Sequence, residues 1–367
     1  MSKVLEGIRI IEISGIGPGP FCGMLLADLG ADVICIERAV VGKQQSRPSE
    51  ITQRGKRSVM LDLKAPGSVE AVLTLITSSD GLIEGMRPGV MERLGLGPGV
   101  CLNRNPKLIY GRLTGWGQDG PLAQSAGHDS NYTALAGALW FAGASGTPQM
   151  APSTVLGDVG GGALYMTIGI LAGILQARST GKGQVVDGAI VDGTAHMLNL
   201  LLSMTAQLEG SFDRGVQIFD AAHWAGRTYV CSDGGLVNIA PLEPKFYALF
   251  LETMGLSSDA RFTGGQMNTK LWPELTQILT GKFAEKPQAY WVDLLEGTDC
   301  CFAPVLNPAQ SAEHPHMKER GVYETVDGIL QAVAAPRFSN SPLASANTVP
   351  VRGQHTAEVM REFGIKL

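Results

Sequence analysis

The chain has 367 residues, of which 44% are hydrophobic, and its 29 basic and 34 acidic side chains give a formal net charge of −5. This length and composition predict a globular protein with one large or two modest domains. The negative charge argues against broad nucleic-acid binding, so an anionic ligand would have to be held by local basic clusters.

The six cysteines show neither a CxxC pair nor metal-ligand spacing, which argues against a disulfide framework and a zinc site. The N-terminal residues carry no signal-peptide pattern, so we expect a cytoplasmic protein. Residues 159–177 are uncharged and long enough to span a membrane, but three glycines open the stretch and polar residues interrupt it. We therefore expect a buried core helix and no membrane association.

The first part of the chain alternates strand and helix patterns. A β-branched run over 8–13 is followed by a Gly/Pro turn, a helical pattern over 21–29 and a second apolar run over 33–37. This order predicts a βαβ unit with parallel strands and a right-handed crossover. Further strands are predicted over 58–63, 80–84, 108–113 and 184–187, and further helices over 68–78, from the Asp158 turn to about residue 178, and over 189–208. An α/β first domain follows.

The first βαβ unit raises the question of a nucleotide ligand. Gly15-Ile-Gly-Pro-Gly with Glu37 at the end of the second strand is similar to a dinucleotide fingerprint, but Pro20 replaces the third glycine. A Rossmann-like turn without a dinucleotide is therefore favoured over NAD binding. Nearby basic residues form either a phosphate patch at the strand ends or a solvated surface, and both interpretations stay open; they are Arg38, Arg54, Lys56, Arg57, Lys64, Arg87 and Arg93.

The stretch from Ala126 to Gly162 contains the candidate catalytic residues. His128 and Asp129 begin one apparent helix, and Asp158 begins another. Helix starts expose unpaired N–H groups and a positive dipole end, which stabilise a developing enolate. This pattern predicts a proton-transfer site. The plainer alternatives are a partly buried, hydrogen-bonded histidine and two N-cap aspartates.

The second half of the chain has a different pattern of predicted strands and helices. A hairpin pattern over 228–231 and 236–240 precedes helical patterns over 244–254, 272–283 and 288–295, which predicts a small α+β domain. The chain is loop-rich from residue 313, with a closing helix over 356–363. We expect a large α/β domain over 1–188 completed by about 330–367, linker helices over 189–225, the small domain over 226–312 and a return linker over 313–329.

Several motifs spread from residue 4 to about 365 resemble the α-methylacyl-CoA racemase branch of the class III CoA-transferase (CaiB/BaiF) family. They include Gly15-Ile-Gly-Pro-Gly-Pro-Phe, Arg54-Gly-Lys-Arg-Ser, Gly127-His-Asp-Ser-Asn-Tyr, Gly157-Asp-Val-Gly-Gly-Gly and Glu243-Pro-Lys-Phe-Tyr. The resemblance implies a Rossmann-like parallel-sheet large domain, a small α+β domain and an interlocked homodimer. It also implies an isomerase of lipid metabolism that inverts C2 of 2-methyl-branched acyl-CoA thioesters by 1,1-proton transfer through an enolate. Neither a metal nor a redox cofactor is implied, since CoA is part of the substrate.

The resemblance assigns residues to this reaction. His128, assisted by Glu243 from across the dimer interface, and Asp158 would be the two bases, and the backbone N–H of Asp129 would donate to the thioester oxygen. The nucleotide end of CoA would meet Arg38, Leu61, Asp62, Leu63, Lys64 and Arg93. The thioester end would meet Ala126, Gly127, Ser130, Asn131 and Tyr132.

One segment departs from the racemase pattern, namely Asp220-Ala-Ala-His-Trp-Ala-Gly. We expect it to approach the acyl group, so that His223 and Trp224 either narrow the acyl groove or pack a loop. Three other functions stay open. The chain is alternatively a CoA-transferase with Asp158 as nucleophile, a non-catalytic acyl-CoA-binding protein that has no need of paired bases, or a nucleotide-dependent oxidoreductase, whose fingerprint is incomplete.

Overall fold

A computed structural model describes residues 3–38, 46–143, 146–208, 210–218, 220, 222–341 and 348–366. The chain divides into two compact units. The first unit comprises Met1–Ala136, Pro152–Met197 and Pro315–Leu367, and the second comprises Gly137–Ala151 and Leu198–His314.

The first unit is built on a parallel sheet with helical crossovers. Its strands are β1 (Arg9–Ile13), β2 (Asp32–Glu37), β3 (Arg57–Met60), β4 (Gly81–Glu84), β5 (Ile109–Thr114) and β6 (Gln184–Ala189). Its helices up to β6 are α1 (Pro18–Asp28), α2 (Ser68–Ile76), α3 (Val90–Arg93), α4 (Pro98–Arg104), α5 (Asp129–Leu135) and α6 (Tyr165–Thr180), with α7 (Ile190–Met197) following β6. A 3₁₀ turn spans Ile51–Gln53, and a π-helical segment, Val155–Leu164, leads directly into α6.

The six strands lie in the order β3-β2-β1-β4-β5-β6 and all pair in parallel. This is the order of doubly wound nucleotide-binding folds, in which the chain reverses direction across the sheet between β1 and β4. Ligands bind at that point, beyond the carboxyl ends of the strands. The predicted parallel α/β sheet is confirmed.

Both faces of the sheet are buried, because successive residues of a strand point to opposite faces. On one face Ile11 and Ile34 pack in a cluster that includes residues of α2 and α4. On the other face Ile10 packs with residues of α1 and α6. Gly111 brings α6 close to the sheet, since an added Cβ there would lie 2.6 Å from the Met166 sulfur.

The continuous helix Val155–Thr180 has the length and composition of a membrane span. Its inner face, including Ala163, Met166 and Ile170, is buried against the sheet, as expected for a core helix. The opposite side is not buried: Ile168 is 62% exposed and Leu175 is 71% exposed. The helix is thus a core element on one side only.

The second unit contains an antiparallel sheet of β7 (Arg227–Val230), β8 (Leu236–Ile239) and β9 (Phe302–Val305). Its helices are α8 (Asn199–Gln207), α9 (Pro244–Thr253), α10 (Ala260–Thr263), α11 (Trp272–Phe283), α12 (Gln288–Leu295) and α13 (Pro308–Glu313), with a 3₁₀ turn at Ala138–Phe141. The predicted hairpin is present with a third strand added, so the small α+β unit agrees with the sequence pattern.

The C-terminal segment is more regular than expected. Instead of a loop-rich stretch it forms α14 (Pro315–Glu319) and a hairpin of β10 (Tyr323–Val326) and β11 (Ile329–Ala332). The predicted closing helix is present as α15 (Thr356–Glu362). Asp327 and Gly328 have φ values of 52° and 77°. Asp-Gly between short strands is a strong signal for a two-residue hairpin turn, so this element was predictable and was missed.

Candidate active site

A cavity of about 560 Å³ lies at the carboxyl ends of β1, β4 and β5. Its walls come from the β1–α1 turn, the segment after β4 and the segment after β5. His128, Tyr132 and Asp158 also line it. The structure thus brings both predicted bases to one cavity at the position where this sheet topology binds ligands.

His128 enters the cavity at the start of α5. It is the N-cap residue, with φ −134° and ψ 173°, and its N–H donates to Asn131 Oδ1 at 3.0 Å. This bond fixes the backbone from which the exposed imidazole projects. Asp129 is the first helical residue, so its N–H belongs to the first-turn amides that have no acceptor within the helix. The helix start therefore offers a hydrogen-bond donor beside the base.

Asp158 lies in the first turn of the π-helical segment. The N–H groups of Gly157 and Asp158 both donate to Asp129 Oδ2, at 2.7 and 2.8 Å. Residue 157 is a glycine because an added Cβ would lie 2.6 Å from that oxygen. Burial raises the pKa of the half-buried Asp158, the charge of Asp129 raises it further, and His128 opposes both. The sequence offered Asp129 as an N-cap of its own helix, and its carboxylate instead accepts N–H groups at the start of the Asp158 helix.

Tyr132 forms a rigid wall of the cavity. Its hydroxyl donates to the carbonyl of Gly127, and its ring meets Trp116 edge to face with centroids 4.7 Å apart. Gly115 makes room for the ring, since an added Cβ would lie 2.0 Å from Tyr132 Cζ. Of the predicted thioester contacts, Ala126, Gly127 and Tyr132 line the cavity. Among the described residues, the exposed Ser130 and Asn131 are not part of its lining.

A second cavity of about 1010 Å³ shares Ile13, Met86 and part of the β1–α1 turn with the first. The predicted nucleotide contacts that line it are Arg38, Leu61, Asp62, Leu63 and Lys64. Arg93 is exposed and, in the described part of the chain, lines neither cavity. Gly85, Met86 and Arg87 line the first cavity, and among these only Arg87 drew attention in the sequence, as a basic residue. Their position directly after β4 was the sequence feature that could have identified them as cavity residues.

Comparison with known proteins shows the family to which the chain belongs. The sequence profile of CoA-transferase family III matches residues 5–356. The chain belongs to CoA-transferase family III. It is 40% identical to the alpha-methylacyl-CoA racemase of Mus musculus over 364 residues, which covers 98% of this chain and 93% of the relative. The human alpha-methylacyl-CoA racemase is also 40% identical, over 362 residues with the same coverages.

Other members of the family are more distant. The succinyl-CoA:glutarate CoA-transferase of Mus musculus is 28% identical over 386 residues, covering 98% of this chain and 86% of the relative. The crystal structure of a CAIB/BAIF family protein from Brucella suis superposes with a TM-score of 0.82 at 26% identity, covering 99% of this chain and 100% of that structure. The family predicted from the motifs is confirmed.

Three basic residues that the sequence offered as a phosphate patch have structural partners in this family III chain. Arg54 binds both carboxylate oxygens of Asp28, at 3.1 and 2.6 Å. Lys56 pairs with Glu12 at 2.6 Å, and Arg57 pairs with Asp32 at 2.6 Å. Arg54 and Lys56 are buried, and buried charges require such partners, whereas Arg57 is partly exposed and also pairs with Glu362 at 2.5 Å. The phosphate-patch hypothesis is therefore wrong for Arg54, Lys56 and Arg57, whereas Arg38, Lys64 and Arg87 line the cavities.

Glu37 stands where a dinucleotide-binding fold places its ribose-binding acid. Here its buried carboxylate accepts hydrogen bonds from Arg47 at 2.5 and 2.6 Å, from Ser58 at 2.7 Å and from Arg352 at 2.9 Å. These donors occupy the carboxylate, so it has no capacity left for a ribose hydroxyl. The family III turn thus lacks both the third glycine and a free acid, which argues against the oxidoreductase alternative.

Glu243 belongs to the second unit, where it is the exposed N-cap residue of α9. Burial raises the pKa of the Cys301 thiol, and the negative charge of Glu243 raises it further. The assistance of Glu243 to His128 stays a prediction from the resemblance. Among the described residues, no group of three or more His, Cys, Asp or Glu side chains is placed to hold a metal ion.

The segment that departs from the racemase pattern is a packing element. His223 and Trp224 are both 0% exposed within the core of the second unit. The ring nitrogens of His223 bond to the Ala225 N–H at 3.0 Å and to the Gln266 carbonyl at 2.9 Å. The expectation that this segment approaches the acyl group is wrong for these two side chains, because burial keeps them from any groove.

Proposed function

We propose that this chain is an α-methylacyl-CoA racemase, which inverts C2 of 2-methyl-branched acyl-CoA thioesters by moving a proton through an enolate. One observation carries the proposal: His128 and Asp158, each at the start of its own helix, line the same cavity. The 40% identity to two proteins of that name over nearly the whole chain supports it.

The site has the groups that this reaction requires. The α-proton of a thioester is weakly acidic, so a positioned base, worth about 10²- to 10⁴-fold, needs a donor to the enolate oxygen, worth about 3 kcal/mol. The N–H of Asp129 is the proposed donor. Histidine takes up and releases protons near neutral pH, and the raised pKa of Asp158 brings the carboxylate closer to the same range. Each group then accepts a proton in one direction and returns one in the other.

The two adjoining cavities suit the two ends of an acyl-CoA. In this proposal the thioester lies between His128 and Asp158, and the nucleotide extends along the second cavity toward Arg38 and Lys64. Their cationic side chains would pair with the phosphates of CoA. The proposed reaction needs no separate cofactor, because CoA is part of the substrate.

The exposed side of the helix Val155–Thr180 supports a homodimer. Leu164, Ile168 and Leu175 lie on the helix surface away from the sheet, and they are 41%, 62% and 71% exposed. A row of large apolar side chains of this kind is typical of a protein interface. In the proposed interlocked homodimer a second copy covers this row and its Glu243 assists His128.

Incubation of the protein with one epimer of a 2-methylacyl-CoA in D₂O tests the proposal. Deuterium at C2 together with loss of configuration, without an added acid, is the expected result. A CoA-transferase would instead move CoA to an added carboxylate and leave the C2 proton in place. That outcome would replace the racemase by the alternative in which Asp158 is a nucleophile.

A further inference from the structure

We propose that the Asp129 carboxylate is a positioning group that couples the two bases, by capping the helix of Asp158 from the helix of His128. The inference rests on the proposed function for its catalytic consequence. It concerns the side chain of Asp129, whereas the oxyanion role concerns its backbone N–H.

The hydrogen bonds show how the coupling works. Asp129 is 6% exposed, and its Oδ2 accepts the N–H groups of both Gly157 and Asp158. The N-cap residue of that helix is Thr154, with φ 65°, and its own side chain makes no capping bond in the described structure. The cap therefore comes from another helix. Because Asp129 directly follows His128 in the chain, a shift of one base displaces the anchor of the other.

The same carboxylate sets the charge around Asp158. The ionisable groups that face Asp158 from α5 are Asp129, His128 and the Tyr132 hydroxyl. The neighbours of the Asp158 segment on the β1–α1 turn and on α7 are uncharged; they are Gly17, Pro18, Ile190, Thr194 and Met197. The ionisable His196 of α7 contacts the same helix farther along, where its ring bonds to the Tyr165 hydroxyl at 2.7 Å. Asp129 is thus the one negative neighbour among the described residues that face Asp158.

Two substitutions separate the cap from the charge. Asp129→Asn keeps a carbonyl oxygen that accepts the two N–H groups but removes the negative charge. Asp129→Ala removes both. A matched control is Asp233→Asn, because Asp233 Oδ1 likewise accepts two backbone N–H groups, from Gly235 at 3.0 Å and Gln288 at 3.2 Å, in the second unit. It reports the cost of the substitution at a cap outside the proposed site.

We expect Asp129→Ala to lower kcat for C2 exchange about 10²-fold with KM little changed, since a base displaced by about 1 Å loses that much. We expect Asp129→Asn to keep most of the wild-type kcat. It should also move the acid limb of the pH profile to lower pH, because loss of a like charge favours ionised Asp158. Asp233→Asn should leave the acid limb of the pH profile unchanged.

A readout independent of turnover completes the test. The Asp158 carboxyl, followed by ¹³C NMR and assigned with Asp158→Asn, should titrate at lower pH in Asp129→Asn than in the wild type. An unmoved titration, or equal kcat losses in Asp129→Asn and Asp129→Ala, would overturn the inference. If Asp129→Ala does not fold, the titration of Asp129→Asn decides. Wild-type protein that exchanges neither epimer would refute the racemase proposal, and the titration would still judge the coupling.

Discussion

Gly17 lies so close to Asp158 that an added Cβ would be 3.3 Å from Asp158 Oδ2. Gly17 also has φ 67°, a conformation that residues with side chains rarely adopt. The β1–α1 turn can therefore approach the carboxylate only through a glycine. This contact joins the turn that begins the sheet topology to the proposed base on the π-helical segment.

Replacement of Gly17 by alanine should lower kcat about tenfold, because it crowds the Asp158 carboxylate and a shift of a fraction of an ångström weakens a positioned base. Gly7→Ala is the matched control, since Gly7 has φ 83° and nothing within 4 Å of an added Cβ. Both variants should lose about 1 to 3 kcal/mol of unfolding free energy from the strained backbone conformation. Steady-state kinetics with both epimers check the difference, and equal kcat values for the two variants would contradict it.

Loss of the Tyr132 hydroxyl should loosen the wall beside Gly127. Tyr132→Phe removes the hydrogen bond to the Gly127 carbonyl, which costs about 1 kcal/mol of stability, and we expect a severalfold rise in KM for the acyl-CoA. Tyr247→Phe removes a comparable bond to the Phe262 carbonyl at 2.5 Å in the second unit. It should lose similar stability with KM unchanged. A KM that rises equally in both would show that the effect is not local.

Removal of the Arg38 side chain should weaken binding of the nucleotide end alone. Arg38→Ala is expected to raise KM for an acyl-CoA about tenfold, the loss of one charge-assisted contact, and to leave KM for the matching acyl-pantetheine unchanged. Arg104→Ala removes an exposed arginine that pairs with Glu70 on the surface, and should change neither value. If KM rises equally for the acyl-CoA and the acyl-pantetheine in Arg38→Ala, then Arg38 does not act through the phosphates of CoA.

The Glu37 network should make stability depend on acid pH. Burial raises the pKa of Glu37, but the hydrogen bonds from Arg47 and Ser58 and the neighbouring positive charges outweigh it, so the net pKa is lowered. A lowered pKa stabilises the fold above the unfolded-state value near 4.5, and that contribution is lost as pH falls through the folded-state pKa.

Glu37→Gln should remove this acid dependence and cost about 3 kcal/mol at pH 7, because it leaves the buried Arg47 with only the partly exposed Glu50, at 3.3 Å, as a charge partner. Glu70→Gln, which breaks an exposed pair with Arg104, should cost less than about 1 kcal/mol. Urea denaturation measures both, in a pH series that starts at pH 7 and continues well below the unfolded-state value near 4.5, where the Glu37 contribution is lost. A Glu37→Gln protein as stable as wild type at pH 7 would contradict the assigned role.

The sequence predicted the sheet because runs such as Ile8–Ile13 and Val33–Glu37 are apolar on both faces and are joined by a Gly/Pro turn and a helix. It did not predict which basic residues are free. Arg54 and Lys56 find their partners, Asp28 and Glu12, on neighbouring elements of the fold, and adjacency along the chain says nothing of that pairing.

The sequence predicted the residues of the candidate site but not the hydrogen bonds that join them. His128 and Asp158 were identified from motifs, and the structure brings both to one cavity. The bond from the Asp158 N–H to Asp129 spans 29 positions of sequence and depends on two helices meeting start to start. For His223 and Trp224 the sequence left two alternatives, narrowing the acyl groove or packing a loop, and their burial in the second unit agrees with packing.

Exchange of the C2 proton from each epimer separately, in His128→Ala and Asp158→Asn side by side, tests the two-base mechanism most directly. Each base abstracts the proton from one face, so each variant should lose exchange from a different epimer by about 10²-fold or more. Exchange from the other epimer should persist. Wild-type rates from both epimers in His128→Ala, or loss of the same epimer's exchange in both variants, would contradict the mechanism.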